Sequence, residues 1–348
     1  MIGDRAMLGT AAFGRALDAR GAPLDGLAPV DGVDVCVGAP AATPAERSAI
    51  VEPLWTGVRC IDALLTIGRG ARIGIFGAPG AGKSTLLETV VRGARADAVA
   101  IGLVGERGRE AQRWIAARDD RTTVICATSD RPAHERVRAA ELLMAHACLL
   151  ATRGLHVLAV LDSLARYAHA LRELAIARGE GVGRGGYPPS VFARTAQLVE
   201  RAGAFAGGSV TLIATVLTDG EDRDPVSESA RSLLDGHLAL SSRLAHAGHF
   251  PAIDVLASAS RTMDAVASAE HQRAAALVRA ALARLDRCAD ARSLGIDPAD
   301  LQTRIAIAAE GALERLLRQG SEAAAAAATL EALRQTADML EEAHGHQH

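Results

Sequence analysis

The chain has 348 residues, a net charge of -3 and only 3 % aromatic residues, long enough for two domains or for one large core with an appendage. That balance excludes a broad nucleic-acid-binding face, which needs many uncompensated Lys and Arg, and aromatic platforms for stacking single-stranded bases. Five scattered cysteines (Cys36, Cys60, Cys126, Cys148 and Cys288), odd in number and without C-x-x-C spacing, read as reduced, mostly buried thiols. The N-terminus carries acid and arginine where a signal peptide would be apolar, and no apolar run approaches the roughly 20 residues of a membrane span. The expectation is a cytoplasmic protein.

Residues 1–50 are rich in Gly, Pro and Ala and read as an extended lead-in of turns and brief strands. From 51 to 265 strand-like runs alternate with helical ones, the pattern of a mainly parallel sheet flanked by helices, an α/β fold. Strands are expected at 72–76, 99–104, 123–127, 156–161, 209–216 and 236–239, with helices at 83–94, 133–151 and 189–202. Two loops, 178–187 and 219–224, stand out, the first Gly-rich and expected to be mobile. From 266 to 348 Ala, Leu, Arg and Glu dominate at helical spacing (271–289, 298–319 and 323–342), predicting a smaller all-helical C-terminal domain. The six alanines at 323–328 read as filler helix, and His344, His346 and His348 as a frayed end.

The stretch 72–88 carries the clearest chemistry. A short apolar run leads into Gly77-Ala78-Pro79-Gly80-Ala81-Gly82, and Lys83-Ser84-Thr85 opens a helix, matching G-x-x-x-x-G-K-[ST] between strand and helix. The glycines let successive N–H groups point into one concavity at the positive end of a helix, a polyphosphate site. There Lys83 reaches the β- and γ-phosphates and the Ser84 hydroxyl ligates Mg²⁺. Hydrolysis needs more: a second ligand for Mg²⁺, a group that positions water and a cation for the transition state. Asp162 ends the apolar run HVLAVLD, where a magnesium-binding aspartate belongs, although a strand-ending aspartate also suits a helix cap. Glu106 follows AIGLVG, placed to polarise water with Arg107 holding it, although the same spacing suits a charged surface turn. Arg261 follows an apolar run at 253–257, suited to a finger offered to a neighbour's phosphate or to an ordinary salt bridge.

These clusters, in this order and with their flanking text, resemble the rotary-type ring ATPases, and within them the type III secretion and flagellar export ATPases. The matching stretches include EPLWTGVRCIDALLTIGRG (52–70), GAPGAGKSTLL (77–87), GLVGERGRE (102–110), VLDSLARYAHALRELAIARGE (160–180), GGYPPSVFA (185–193), LVERAG (198–203) and the text through Arg261, over about 10–272. The resemblance implies a RecA-like core binding ATP and Mg²⁺ and a protein-secreting ATPase. Lys83 and Ser84 fall at the phosphate-loop positions, Glu106 at the catalytic glutamate and Arg107 at the arginine beside it. Asp162 falls at the Walker-B aspartate, with Arg166 in the next helix, and Arg261 at the inter-subunit finger. It implies a homohexamer at the cytoplasmic face of the inner-membrane export apparatus, releasing chaperones and unfolding substrates, with stalk, stator and chaperone–effector partners and no nucleic acid.

The departures from that pattern carry expectations too. The family's small N-terminal β-barrel is not represented, which implies a weaker ring. The segment between Glu106 and Ala127 is shorter than usual, and Thr195-Ala196 replace a Leu-Pro pair. The text beyond about 285 matches poorly. ATSDRPAHERVRA (127–139) favours the injectisome branch, TVLTDG near 215 the flagellar one; the injectisome is the expected assignment. Two other readings use the same core: a nucleotide-binding structural subunit without strong turnover, and a nucleic-acid-translocating ring ATPase.

Overall fold

The computed structural model describes residues 5–217, 224–296 and 298–345, with side chains as far as Glu341. The expected 219–224 loop, apart from Asp224, lies outside these residues, as do His346 and His348 and the side chain of His344. In chain order the strands are β1 (Arg5–Leu8), β2 (Ala16–Asp18), β3 (Val33–Cys36), β4 (Pro53–Leu54), β5 (Ile67–Gly68), β6 (Arg72–Gly77), β7 (Ala98–Val104), β8 (Thr122–Ala127), β9 (His156–Asp162), β10 (Gly203–Ala204), β11 (Ser209–Leu217), β12 (Gly236–Leu240) and β13 (Ile253–Ser260). The helices are α1 (Arg59–Leu64), α2 (Lys83–Gly93), α3 (Gly108–Ala117), α4 (Ala133–Thr152), α5 (Leu164–Ala177), α6 (Pro189–Val199), α7 (Pro225–Leu233), α8 (Ser242–His246), α9 (Met263–Val266), α10 (Ala269–Ser293), α11 (Leu301–Ala308), α12 (Glu310–Leu317) and α13 (Ala326–Gly345).

The chain divides into two compact units, the first made of residues 1–51, 69–79 and 96–237, the second of 52–68, 80–95 and 238–348. In the first, the strand order is β6-β11-β9-β7-β8-β2, with the short β10 beside β11. Every step along that path is parallel, and only β10 is antiparallel. Parallel strands need both faces covered, so their sequences are apolar throughout instead of alternating. Both faces of β7, β9 and β11 are accordingly buried. The period of two sends Ala100, Val104, Ala159, Leu161, Leu212 and Val216 to one face, where they join Leu142, Leu143 and Leu150 of α4 and Leu164 and Leu171 of α5. The other face carries the row Ile73, Ile213, Val160, Ile101 and Val124, set side by side by the register.

The lead-in is more than connection. β2 is the edge strand of the main sheet, pairing Ala16 with Val124 and Leu17 with Ile125. Leu8 and Leu17 are fully buried in the same cluster as α4. Their short apolar pieces, too brief to form a core alone, are completed by a sheet built from later sequence.

In the second unit the Asp62 carboxylate of α1 accepts the Thr56 and Gly57 amides at 2.8 and 2.9 Å and the Thr56 hydroxyl at 2.7 Å. Burial outweighs those bonds and pushes the Asp62 carboxyl up to about 6. A side chain at Gly57, φ +75°, would meet Ala323 at 2.8 Å, so part of the alanine run is a close-packing surface. The helix itself starts at Ala326, and the single helix expected over 298–319 is two, α11 and α12. α10 packs against α11 and α13. Of the cysteines, Cys60 and Cys126 are buried and Cys36 is exposed. No described helix is long and apolar enough to cross a membrane.

Because Leu17 sits wholly inside the main core, Leu17→Ala should cost roughly 2–5 kcal/mol in denaturant unfolding. A loss below about 0.5 kcal/mol, ordinary for surface positions, would show the lead-in to be ornamental.

Candidate functional site

β6 ends at Gly77, and the turn that follows runs through Gly80 and Gly82 to α2. Both glycines are left-handed, with φ of +83° and +92°, conformations an L side chain adopts only with strain. Gly82 is the N-cap of α2 and offers no side chain to the first amides of the helix. Those amides need an acceptor from elsewhere, and a phosphate oxygen at the positive helix end is one. Lys83 is partly buried, while Ser84 and Thr85 are exposed; Ala81 is buried, as are Leu86 and Leu87, which anchor α2.

The two acids stand at the C-terminal ends of neighbouring parallel strands. Asp162 closes β9 and Glu106 follows β7, with Leu103 in register with Asp162. β11 lies between β9 and β6, so Asp162 is one strand further from the glycine turn than its sequence suggests. That intervening strand contributes Thr215, whose hydroxyl donates to Asp162 Oδ1 at 2.5 Å. The alternative use of Asp162, as a helix cap, is taken instead by Ser163, whose side chain accepts the Arg166 amide. The Asp162–Ser163 peptide is cis.

Gly105, φ +71°, turns the chain out of β7, and its amide donates to Ala127 O at 2.7 Å while Glu106 O accepts from the Ser129 amide at 3.0 Å. A side chain at Gly105 would come within 3.0 Å of Arg166 Cδ, so the glycine makes room for the arginine. Arg166 Nε lies 2.8 Å from Glu106 Oε1, an ion pair whose N–H is not aimed along the contact. The guanidinium beside Glu106 is therefore Arg166 from α5; Arg107, expected to hold the carboxylate, is exposed at the N-cap of α3. Burial, then the Asp162 charge and a hydrogen bond with Glu110, push the Glu106 carboxyl up to about 8, against the opposing pull of Arg166.

Arg261, just past β13, is exposed and makes no hydrogen bond or ion pair among the described residues. In the second unit a cavity of about 520 Å³ is lined by Gly82, Thr85, Leu86 and Thr89 of α2 together with Phe250 and Arg318. The aromatic of this cavity is Phe250, 45 % exposed, which comes from a segment far from α2 in sequence. Thr215, Glu110 and Phe250 were all missed. The first two carry a signal only once strand register and helix phase are known, and Phe250 is brought to α2 by long-range folding alone.

A glycine turn without a side-chain cap, followed along the sheet edge by two acids on adjacent strands, defines a phosphate-loop nucleotide-binding core. Residues 57–260 match the ATP synthase alpha/beta family, nucleotide-binding domain. The chain is 44% identical to the type 3 secretion system ATPase of Sinorhizobium fredii (strain NBRC 101917 / NGR234), over 90% of this chain and 72% of that protein. It is 45% identical to the flagellum-specific ATP synthase of Salmonella typhimurium (strain LT2), over 91% of this chain and 72% of that one. Among solved structures, the assembled ATPase EscN of the enteropathogenic E. coli type III secretion system superposes with a TM-score of 0.92 at 38% identity, covering 96% of this chain and 83% of that one. The same ATPase in complex with its central stalk EscO gives 0.90, with the same identity and coverage. The chain thus belongs to the ATP synthase alpha/beta family, in its branch of type III secretion and flagellar export ATPases. Its fold is the RecA-like one expected, with a helical C-terminal region.

The raised Glu106 group binds its proton more tightly folded than unfolded. Its contribution to stability is full below about pH 4.5 and is lost as pH rises through about 8. Denaturant midpoints of the native protein should therefore fall between pH 6 and 9 by more than those of Glu106→Gln, whose side chain stays neutral. Parallel slopes for the two proteins would mean that Glu106 is ionised throughout.

Proposed function

We propose that this chain hydrolyses ATP at the glycine turn with Glu106 as the group that activates water, as a motor of type III protein export. The observation that carries the reading is the strand register that puts Asp162 and Glu106 at one sheet edge, with β6 delivering its chain to the phosphate turn at that same edge. Residues Gly77, Gly80, Ala81, Gly82, Lys83, Ser84 and Thr85 hold the triphosphate, the glycines through main-chain N–H groups and Lys83 through its charge. The Phe250 cavity takes the base; at about 520 Å³ it lies within the usual range of small-molecule pockets.

Mg²⁺ fits the residues present. No cluster of three or more His, Cys, Asp or Glu suited to a metal occurs among the described residues. Mg²⁺ needs none, because it keeps several waters and takes one or two protein oxygens beside the phosphates. Ser84 and Asp162, the latter oriented by Thr215, would be those oxygens, and the ion would neutralise charge on the phosphates. Glu106 must be ionised to accept a proton from water. The positive charge gathered around the triphosphate favours that form, while burial and Glu110 oppose it. Arg166 holds the carboxylate in place, and Arg107 stands at the next position for the phosphate side.

Arg261 is proposed to complete the site of a second copy in a homohexameric ring, a role supported by its exposure and its lack of partners among the described residues. The core at 51–265 would carry turnover and the helices at 266–348 would meet the chaperone–effector complexes, with stalk and stator proteins engaging the ring beneath the inner membrane. The text at 127–139 favours an injectisome over a flagellum.

A steady-state phosphate-release assay at high protein concentration tests the assignment. Lys83→Ala should abolish turnover, Glu106→Gln should lower kcat by about 10²–10⁴-fold with the fold intact, and Arg261→Ala should cut turnover about 10³-fold or more while sparing nucleotide binding. Undiminished hydrolysis in Glu106→Gln would refute the role of that residue. Replacing Phe250 with Ala should raise KM for ATP about tenfold with kcat little changed, the signature of lost uniform binding. An unchanged KM would move the base elsewhere.

A further inference from the structure

β13, the strand that leads to Arg261, does not alternate regularly. Ile253 and Val255 are buried, and a period of two would carry Ala257, Ala259 and Arg261 to the same face. Instead Leu256 and Ala257 are both exposed, and the inward set resumes at Ser258, half-buried Ser260 and buried Thr262. One extra residue has entered the strand, and a slip of one residue sends every later side chain to the opposite face. Arg261, which the phase of Val255 would turn inward, is exposed for that reason.

Side chains hold the slip. Asp254 Oδ1 accepts the amides of both Leu256 and Ala257, at 3.1 and 3.0 Å, whereas successive amides of a regular strand point to opposite edges. Ser258 Oγ donates to Asp254 O at 2.5 Å and accepts the Ala239 amide of neighbouring β12 at 2.9 Å. On either side of Arg261, Ser260 Oγ donates to Thr66 O at 2.7 Å and Thr262 Oγ1 accepts the Gly68 amide at 3.0 Å.

The arrangement is closed from behind by α10, which packs against β13. Its half-buried Arg279 donates from Nη1 to Val255 O at 3.0 Å and from Nη2 to Ser258 O at 3.3 Å, so one guanidinium spans the slip. Burial lowers the Arg279 pKa, and no acid opposes that effect. Desolvating a charge costs stability. The rigid fork of donors holds the two carbonyls at a set spacing, and with them the extra residue between.

We propose that Asp254 and Arg279 are positioning residues for Arg261, holding the slip in β13 that turns its guanidinium outward toward the site of a second copy. This rests on the ring role proposed for Arg261 and adds what aims it. Neither residue lines the Phe250 cavity or belongs to the glycine turn, so both should act on kcat and leave nucleotide affinity alone.

Phosphate release and ADP affinity of the full chain, at high protein concentration, test this. Arg279→Met keeps the apolar stem and removes the fork; it and Asp254→Ala should each lower kcat by about 10²-fold with ADP affinity unchanged. Asp254→Asn, which retains Oδ1 as an acceptor, should turn over at the parent rate. In an Arg261→Ala background neither Arg279→Met nor Asp254→Ala should lower kcat further, because the residue they aim is gone. A purely structural role would give the same loss in both backgrounds and would overturn the proposal, as would a fall in ADP affinity. Parent-like kcat in Arg279→Met and Asp254→Ala, with Arg261→Ala slow, would overturn it while leaving the ring role standing. Parent-like turnover in Arg261→Ala would sink the ring role and the proposal with it. Two positions keep the test decisive if one variant does not fold.

Discussion

The parallel register of β6, β11, β9 and β7 is the constraint on which the rest depends. Once main-chain hydrogen bonds align Gly77 with Leu217, Ala214 with Leu161 and Leu103 with Asp162, the strand ends have no freedom to separate. Chemistry placed one to three residues past those ends must meet at a single edge. The same register puts Thr215 beside Asp162, so a residue with no chemistry of its own fixes the carboxylate that has some.

Electrostatics at that edge are balanced, not neutral. Glu106 sits in a buried setting with two other acids near it and one guanidinium to offset them, so its proton affinity depends on what enters. Arg166 illustrates how the fold assigns roles. Arg107 adjoins Glu106 in the chain, yet it is helix α5, from far along the sequence, that brings an arginine to the carboxylate.

Outside that edge, buried polar groups serve the scaffold: the Asp62 carboxylate accepts three donors and organises a turn.

The α/β order, all six named core strands, the glycine turn and the acids Asp162 and Glu106 were legible in the amino-acid sequence alone. Each rests on local physics: apolar runs the length of a strand, glycines where backbone must turn, charge at the end of an apolar segment. Tertiary structure alone decided that β11 intervenes before β9, that Ser163 and not Asp162 caps α5, and that Arg166 rather than Arg107 meets Glu106. It likewise decided that Leu8 and Leu17 of the lead-in enter the main core and that Phe250 comes to α2. Apart from the local cap, these depend on which distant segments come together, and hydrophobic periodicity, which reports only a segment's own buried face, carries no information about its partner.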